Sequence, residues 1–80
     1  MHLEIISPDK KIYEGEVKSV KLPGSQGSFG VLNNHAPIIS TLGNGQIKIV
    51  DEKENTKFFN VKSGVVEVIN NKITVLAELV

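Results

Sequence analysis

The sequence predicts an all-β domain, an antiparallel β-sandwich or flattened barrel of about eight to ten short strands, on three observations. Apolar residues recur at every second position in short runs, as at Ile73, Val75, Ala77 and Leu79. Turn-forming residues punctuate the chain every few positions, with seven glycines and three prolines among 80 residues. No window longer than about ten residues and free of Gly and Pro carries the 3.6-residue apolar period of a helix.

Leu3 to Ile6 forms a first strand, closed by Ser7, Pro8, Asp9 and Lys10. Pro8 presets φ there, and the Asp9 side chain is placed to bond its own backbone. Ile12 and Tyr13 open a second short strand that Gly15 interrupts, and Val17 to Leu22 follows. Val17 and Val20 cannot share a face without an extra residue, which predicts a β-bulge near Lys18 and Ser19. Residues 22 to 39 read as a strand end, a tight Gly-rich loop, a short strand and a second rigid turn.

Ile38 to Leu42 runs into Gly43, Asn44 and Gly45, a strong turn signal. Gln46 to Val50 alternates, and the charged run Asp51 to Asn55 makes a solvated hairpin tip. Thr56 to Val61 and Val65 to Ile69 are strands separated at Ser63 and Gly64. Asn70 and Asn71 form a two-residue turn, because asparagine tolerates the left-handed conformation that both positions require. Lys72 to Leu79 closes the chain, with no internal repeat or linker.

This length is one domain, residues 1–80, with room for one core and a stability of a few kcal/mol. With no cysteine, disulfides, thiolate metal sites and a Cys nucleophile are excluded. Nine acidic and nine basic residues cancel, and every basic residue is a lysine. Without arginine and with four aromatics, neither the electrostatic nor the stacking footprint of a nucleic-acid binder is present. No stretch reaches the roughly 18 apolar residues of a membrane span, so direct membrane insertion is not expected. Glu4 inside the first apolar run also argues against a signal peptide.

Candidate chemistry is sparse. The series Gly24, Gly27 and Gly30 lacks the Gly-Lys-Ser/Thr end and the following helix of a phosphate loop, so close packing and positive φ account for it better. His2 and His35 lie far apart in sequence and bring no third metal ligand. The serines at 7, 19, 25, 28, 40 and 63 sit in no nucleophile elbow. Glu14 and Glu16 share one strand face and read as solvated. No catalytic residue, cofactor or metal is expected. Phe29, at a glycine-flanked corner, either folds back over the open end of the sandwich or serves as an interface residue.

The string Leu22-Pro23-Gly24, then Gly27-Ser28-Phe29-Gly30-Val31-Leu32, then His35-Ala36-Pro37 resembles the signature loop of the epsilon subunits of F-type ATP synthases. The likeness extends to Ile5-Ile6-Ser7-Pro8 and Gly15-Glu16-Val17 at the start and to Val75-Leu76-Ala77-Glu78 at the end. It implies a non-catalytic central-stalk subunit that docks on the gamma subunit and on the ring of c subunits, and indirectly meets alpha and beta. That places it on the cytoplasmic face of a bacterial inner membrane. By position, Ser25, Gln26, Gly27, Ser28, Phe29 and Gly30 would form the ring-facing tip. His35, Ala36 and Pro37 would lie at the same end, close to gamma.

Two departures stand out. Several relatives carry an acidic residue where this chain has Ser28, so a neutral hydrogen bond would replace a charge contact. Many relatives also continue past the Val75-Leu76-Ala77-Glu78 strand into a helical hairpin, whereas this chain stops at Val80, as a natural short form or a fragment, so no ATP binding and no helix-mediated inhibition by this polypeptide is expected. From other classes, a biotinyl or lipoyl carrier domain would present Lys72 beside the Asn70-Asn71 turn, without the usual flanking residues. A freestanding β-sandwich adaptor is the remaining alternative.

Overall fold

Alternation and turn chemistry together produce seven strands in a computed structural model that describes residues 1–80. They are β1 (His2–Ile6), β2 (Lys11–Gly24), β3 (Gly27–Leu32), β4 (Ile38–Leu42), β5 (Gly45–Asp51), β6 (Thr56–Ile69) and β7 (Lys72–Leu79). The all-β class is as expected, but the count is lower. β2 and β6 are each 14 residues long and run straight through positions that read as breaks. Gly15 stays in register opposite Leu3, and Gly64 stays opposite Ala77. Glycine in a strand weakens it without ending it where the ladder continues: Gly15 is held by β1 alone, Gly64 by β4 and β7 together.

β1, β2, β5, β6 and β7 close into a ring, each pairing with the next and β7 with β1. An odd-membered ring cannot alternate direction all the way round. One pair must be parallel, and it is β1 with β7, the only departure from the antiparallel expectation. β3 extends the sheet beyond β2, and β4 extends it beyond β6.

The long strands turn the corners of the flattened ring, and each does so at a register shift. In β2 the shift falls between Val17 and Ser19, where the change of apolar parity requires a bulge. In β6 it falls between Val61 and Ser63. Two layers result: the first half of β2 with β1, β7, the second half of β6 and β4, against β3, the second half of β2, β5 and the first half of β6. Between them lies one core of 16 buried apolar residues, with no buried polar side chain left unpaired.

The turns follow their residues. Asn70 and Asn71 both take positive φ (50° and 61°), as the two-residue turn demands. In the first turn Ser7 does the work expected of Asp9: its Oγ donates to the Lys10 carbonyl (3.1 Å) and accepts from the Lys10 N–H (3.2 Å). At the charged tip, Asp51 Oδ1 accepts from the N–H groups of Lys53 and Asn55, both at 2.9 Å. These bonds hold the Asp51 carboxyl below its ordinary value, with the Asn55 N–H the largest cause.

Candidate functional site

The two segments singled out in the sequence lie at opposite ends of β3 and β4. Ser25 and Gln26 form the two-residue turn between β2 and β3, with the positive φ falling on Gly27 (129°). Thr41 and Gly43 hold that turn in place. The Ser25 N–H donates to the Thr41 carbonyl (3.0 Å), Thr41 Oγ1 donates to Ser25 Oγ (2.8 Å), and the Gly43 N–H donates to the Pro23 carbonyl (2.8 Å).

His35, Ala36 and Pro37 are exposed in the connection from β3 to β4, at the far end. Asparagines clasp this connection to the β6–β7 turn: the Asn34 N–H donates to Asn71 Oδ1 (2.8 Å), and Asn71 Nδ2 donates to Asn33 Oδ1 (2.9 Å). His35 Nδ1 donates to the Ala36 carbonyl (2.7 Å), which fixes the ring against its own turn. The expectation that both segments share one end is therefore corrected. The six residues of β3 separate them by roughly 17 Å at about 3.3 Å per residue.

Within the first segment, Ser28 and Gly30 are exposed and Phe29 is half-buried. Phe29 pairs with Leu22 and packs against the core. A Cβ on Gly24 would sit 2.6 Å from the Gly27 carbonyl oxygen and 2.8 Å from Phe29 Cε1, so the glycine makes room for both the turn and the folded-back ring. Of the two readings of Phe29, the geometry supports the covering role.

Two features escaped the sequence reading. The first is an apolar band on the outer face of the β1–β7–β6–β4 layer. Ile6 pairs with Leu76, Leu76 with Val65, and Ile39 lies one row away on β4. Ile39 is 79% exposed, Leu76 50% and Val65 41%, and together they line one shallow depression. The signal was present as apolar doublets: Ile5-Ile6, Ile38-Ile39, Val65-Val66 and Val75-Leu76. A strand covered on one face needs an apolar residue only at every second position, so the outward member of each doublet marks a second covered face.

The second is a charge cluster beside that band. His2 lies between two carboxylates, Nδ1 at 2.8 Å from Glu16 and Nε2 at 2.9 Å from Glu14. Both ring nitrogens face acceptors, so the imidazolium fits, and the bonds to Glu16 and then Glu14 raise its pKa above 6.5. Lys11 Nζ reaches Glu14 (2.6 Å) and Glu4 (3.2 Å). Its bond, ahead of that from His2, lowers the Glu14 carboxyl. Pairing across β1 and β2 sets Glu4 opposite Glu14 and His2 opposite Glu16, a juxtaposition that a one-strand reading of Glu14 and Glu16 cannot give.

Lys72, the residue a carrier domain would modify, is the first residue of β7 and pairs with His2 and Ile69, so it does not stand at the hairpin tip. The fold and its surfaces therefore define a small β-sandwich module with an unpartnered apolar face, a class built for docking.

The comparisons identify the family. The chain belongs to the ATP synthase delta/epsilon chain β-sandwich domain family, whose sequence model matches residues 1–80. It is 42% identical over 78 residues to the ATP synthase epsilon chain of Leptospira borgpetersenii, covering 98% of this chain and 61% of that one. It is 38% identical to that of Caulobacter vibrioides, covering 98% of this chain and 90% of that one. The chain thus spans about three fifths of the length of the first relatives it matches.

The fold is similar to a chain of the Euglena gracilis mitochondrial ATP synthase, with a TM-score of 0.90, 20% identity, and coverage of 98% of this chain and 51% of that one. It is also similar to a chain of the Tetrahymena thermophila mitochondrial ATP synthase central stalk and c-ring, with a TM-score of 0.80, 18% identity, and coverage of 96% and 62%.

Proposed function

We propose that this chain is a central-stalk subunit of an F-type ATP synthase, without catalytic residues of its own, that links gamma to the c ring and couples proton transport to ATP synthesis. On this reading it sits peripherally on the cytoplasmic face of the inner membrane as part of the whole complex. Its membership of the delta/epsilon family supports this, as do the assemblies named for its structural neighbours.

The observation that carries the reading is the apolar band of Ile6, Leu76, Val65 and Ile39. A folded domain gains nothing from leaving such a band in water, whereas a permanent interface covers it. In the proposed arrangement gamma covers this face. His35, Ala36 and Pro37 belong with the gamma contact, because they lead directly into β4 and Ile39. The opposite end, Ser25 to Gly30, meets the polar loops of the c ring, with Ser28 offering a hydroxyl where a carboxylate would carry charge.

The mechanical role follows from the packing. A closed ring with its two flanking strands, joined by 41 backbone hydrogen bonds around one core, deforms little under load, so a clamp made of it turns with whatever it grips. The test is affinity isolation of the tagged chain from its host's membranes in mild detergent. Gamma, alpha, beta and c subunits should be recovered together, with all four reduced when Leu76 and Ile39 are made threonine. Recovery of a folded tagged chain without any of them would leave an adaptor as the better reading.

A further inference from the structure

The outer face of the second layer carries a lysine pair that the rotor reading does not use, beside a groove that shares Ser28 and Gly30 with the ring-facing segment. Antiparallel pairing of β2 with β5 sets Lys21 directly opposite Lys48. Both are exposed, and neither takes part in any of the seven ion pairs of the molecule. On the same row, Gly30 of β3 flanks Lys21 and Phe58 of β6 flanks Lys48. On the next row lie Leu32, Ser19, Val50 and Thr56.

Like charges opposed across two strands are destabilising. Nothing in the fold requires them here, because the chain has acids to spare: Glu4, Glu14 and Glu16 gather on the other layer. Beside the pair, Gly30 leaves open space above its Cα, and a groove of about 410 Å³ runs between β3 and the two lysines. Leu32, 65% exposed, and Val50 line it, and Phe58, 54% exposed, lies just beyond Lys48 on the β6 side.

We infer that this groove is a docking site for an acidic segment of a partner protein, with two carboxylates at the Lys21 and Lys48 ammonium groups and an apolar side chain beside them against Leu32, Val50 or Phe58. Charge complementarity selects the carboxylates, since two unpaired cations with no local acid carry an uncompensated field. The apolar margins select a polypeptide over a free anion, because phosphate or a nucleotide polyphosphate has nothing to place on Leu32 and Phe58. The site lies on the layer opposite the apolar band, so both surfaces can be occupied together.

Zero-length carbodiimide coupling tests this, because it joins an amine only to a carboxylate already at ion-pair distance. It is applied to the tagged chain in complexes isolated from its host, and the joined peptides are read by mass. The expected result is Lys21 or Lys48 coupled to Asp or Glu of another polypeptide, in a stretch that also carries Leu, Ile or Phe. The yield should be several-fold above that of the exposed Lys10 and Lys53.

Coupling of Lys21 and Lys48 at the level of those controls would overturn the inference. So would coupling to a second copy of this chain, or protection by millimolar phosphate or ATP with no partner peptide joined. Absence of gamma and c subunits from the isolate would sink the rotor reading alone. A second readout separates docking from stability. Lys48→Gln removes the repulsion without placing a carboxylate beside Lys21, so the melting midpoint should rise by roughly 1–3 °C while partner coupling at Lys21 falls several-fold. A rise in midpoint with coupling unchanged would also overturn the inference.

Discussion

β2 contributes charge to both layers, and the two outcomes differ. Against β1, its Lys11, Glu14 and Glu16 join His2 and Glu4 in a cluster where each cation touches carboxylates. Against β5, its Lys21 meets Lys48 with no acid in reach. The first arrangement explains itself within the fold, since opposite charges across paired strands favour the register that brings them together. The second works against the register it sits in. A charge that the fold does not compensate is therefore better evidence of an outside partner than one that it does. The same logic separates Phe29, which the fold covers against Gly24, from Ile39, which it leaves bare.

The comparison assumes that the two layers differ at their outer surfaces and share one interior, and the largest expected effects test that. Ile49 on β5 and Ile73 on β7 are both fully buried, one from each layer. Truncating either to alanine should cost about 2–5 kcal/mol, enough to unfold much of a domain of this size. Chemical denaturation of both variants should give losses within about 1 kcal/mol of each other. A large loss for one and a small loss for the other would mean that the layers fold as separate units, and their surfaces could not be compared as faces of one body.

How much of this was legible in the sequence depends on what each feature needs. The bulge at Val17 to Ser19 and the left-handed Asn70-Asn71 turn were readable because each is decided by two or three adjacent residues. The parallel β1–β7 pair was not, because it follows from the number of strands in the ring. The separation of Ser25 from His35 was readable from the short strand expected between the loop and the turn, and only the resemblance implied a shared end. Both lie within residues 22 to 39, yet an intervening strand carries them to opposite ends. The His2 and Lys21 environments depend on cross-strand register, which one strand's alternation does not contain. The apolar doublets of β1, β4, β6 and β7 were legible and were passed over.

Next in size is the effect of the apolar band on association. Ile39→Thr with Leu76→Thr places β-branched threonine, a good strand former, at two exposed strand positions, so stability should stay within about 0.5 kcal/mol of the parent. Capture of gamma should fall by 10- to 100-fold, the scale of losing one or two anchoring side chains. The matching change on the other layer, Lys48→Gln, should leave gamma capture intact. If the cationic variant loses gamma and the apolar variant keeps it, the faces have been assigned the wrong way round.

Phe29→Ala sharpens the covering reading at the β3 end. The ring is half-buried, so its removal should cost roughly 1–2 kcal/mol, below the 3–5 kcal/mol of a fully buried phenylalanine. The ring-side clash at Gly24 would be relieved while the Gly27 carbonyl oxygen still crowds a Cβ there, so Phe29→Ala combined with Gly24→Ala should lose less than the two single changes added together but remain well below the parent. Strict additivity in a thermal or denaturant cycle would show that the ring does not rest on Gly24 in solution.

The smallest effect belongs to the compensated cluster, and its sign is fixed by two shifts in opposite directions. The raised pKa of His2 contributes stability that is complete below pH 6.5 and disappears as pH rises through the folded value. The lowered pKa of Glu14 contributes stability that is present above pH 4.5 and disappears as pH falls through the folded value. Both contributions are therefore in force between about pH 4.5 and 6.5. The groups are exposed to solvent and salt, so His2→Gln should lower the melting midpoint near pH 5.5 by no more than a few degrees. The difference from the parent should shrink by pH 8, and at pH 5.5 in high salt. A difference that persists at pH 8 would mean that His2 holds β1 to β2 as a neutral hydrogen-bonding ring. The contrast between the two layers would then rest on Lys11 and its two glutamates alone.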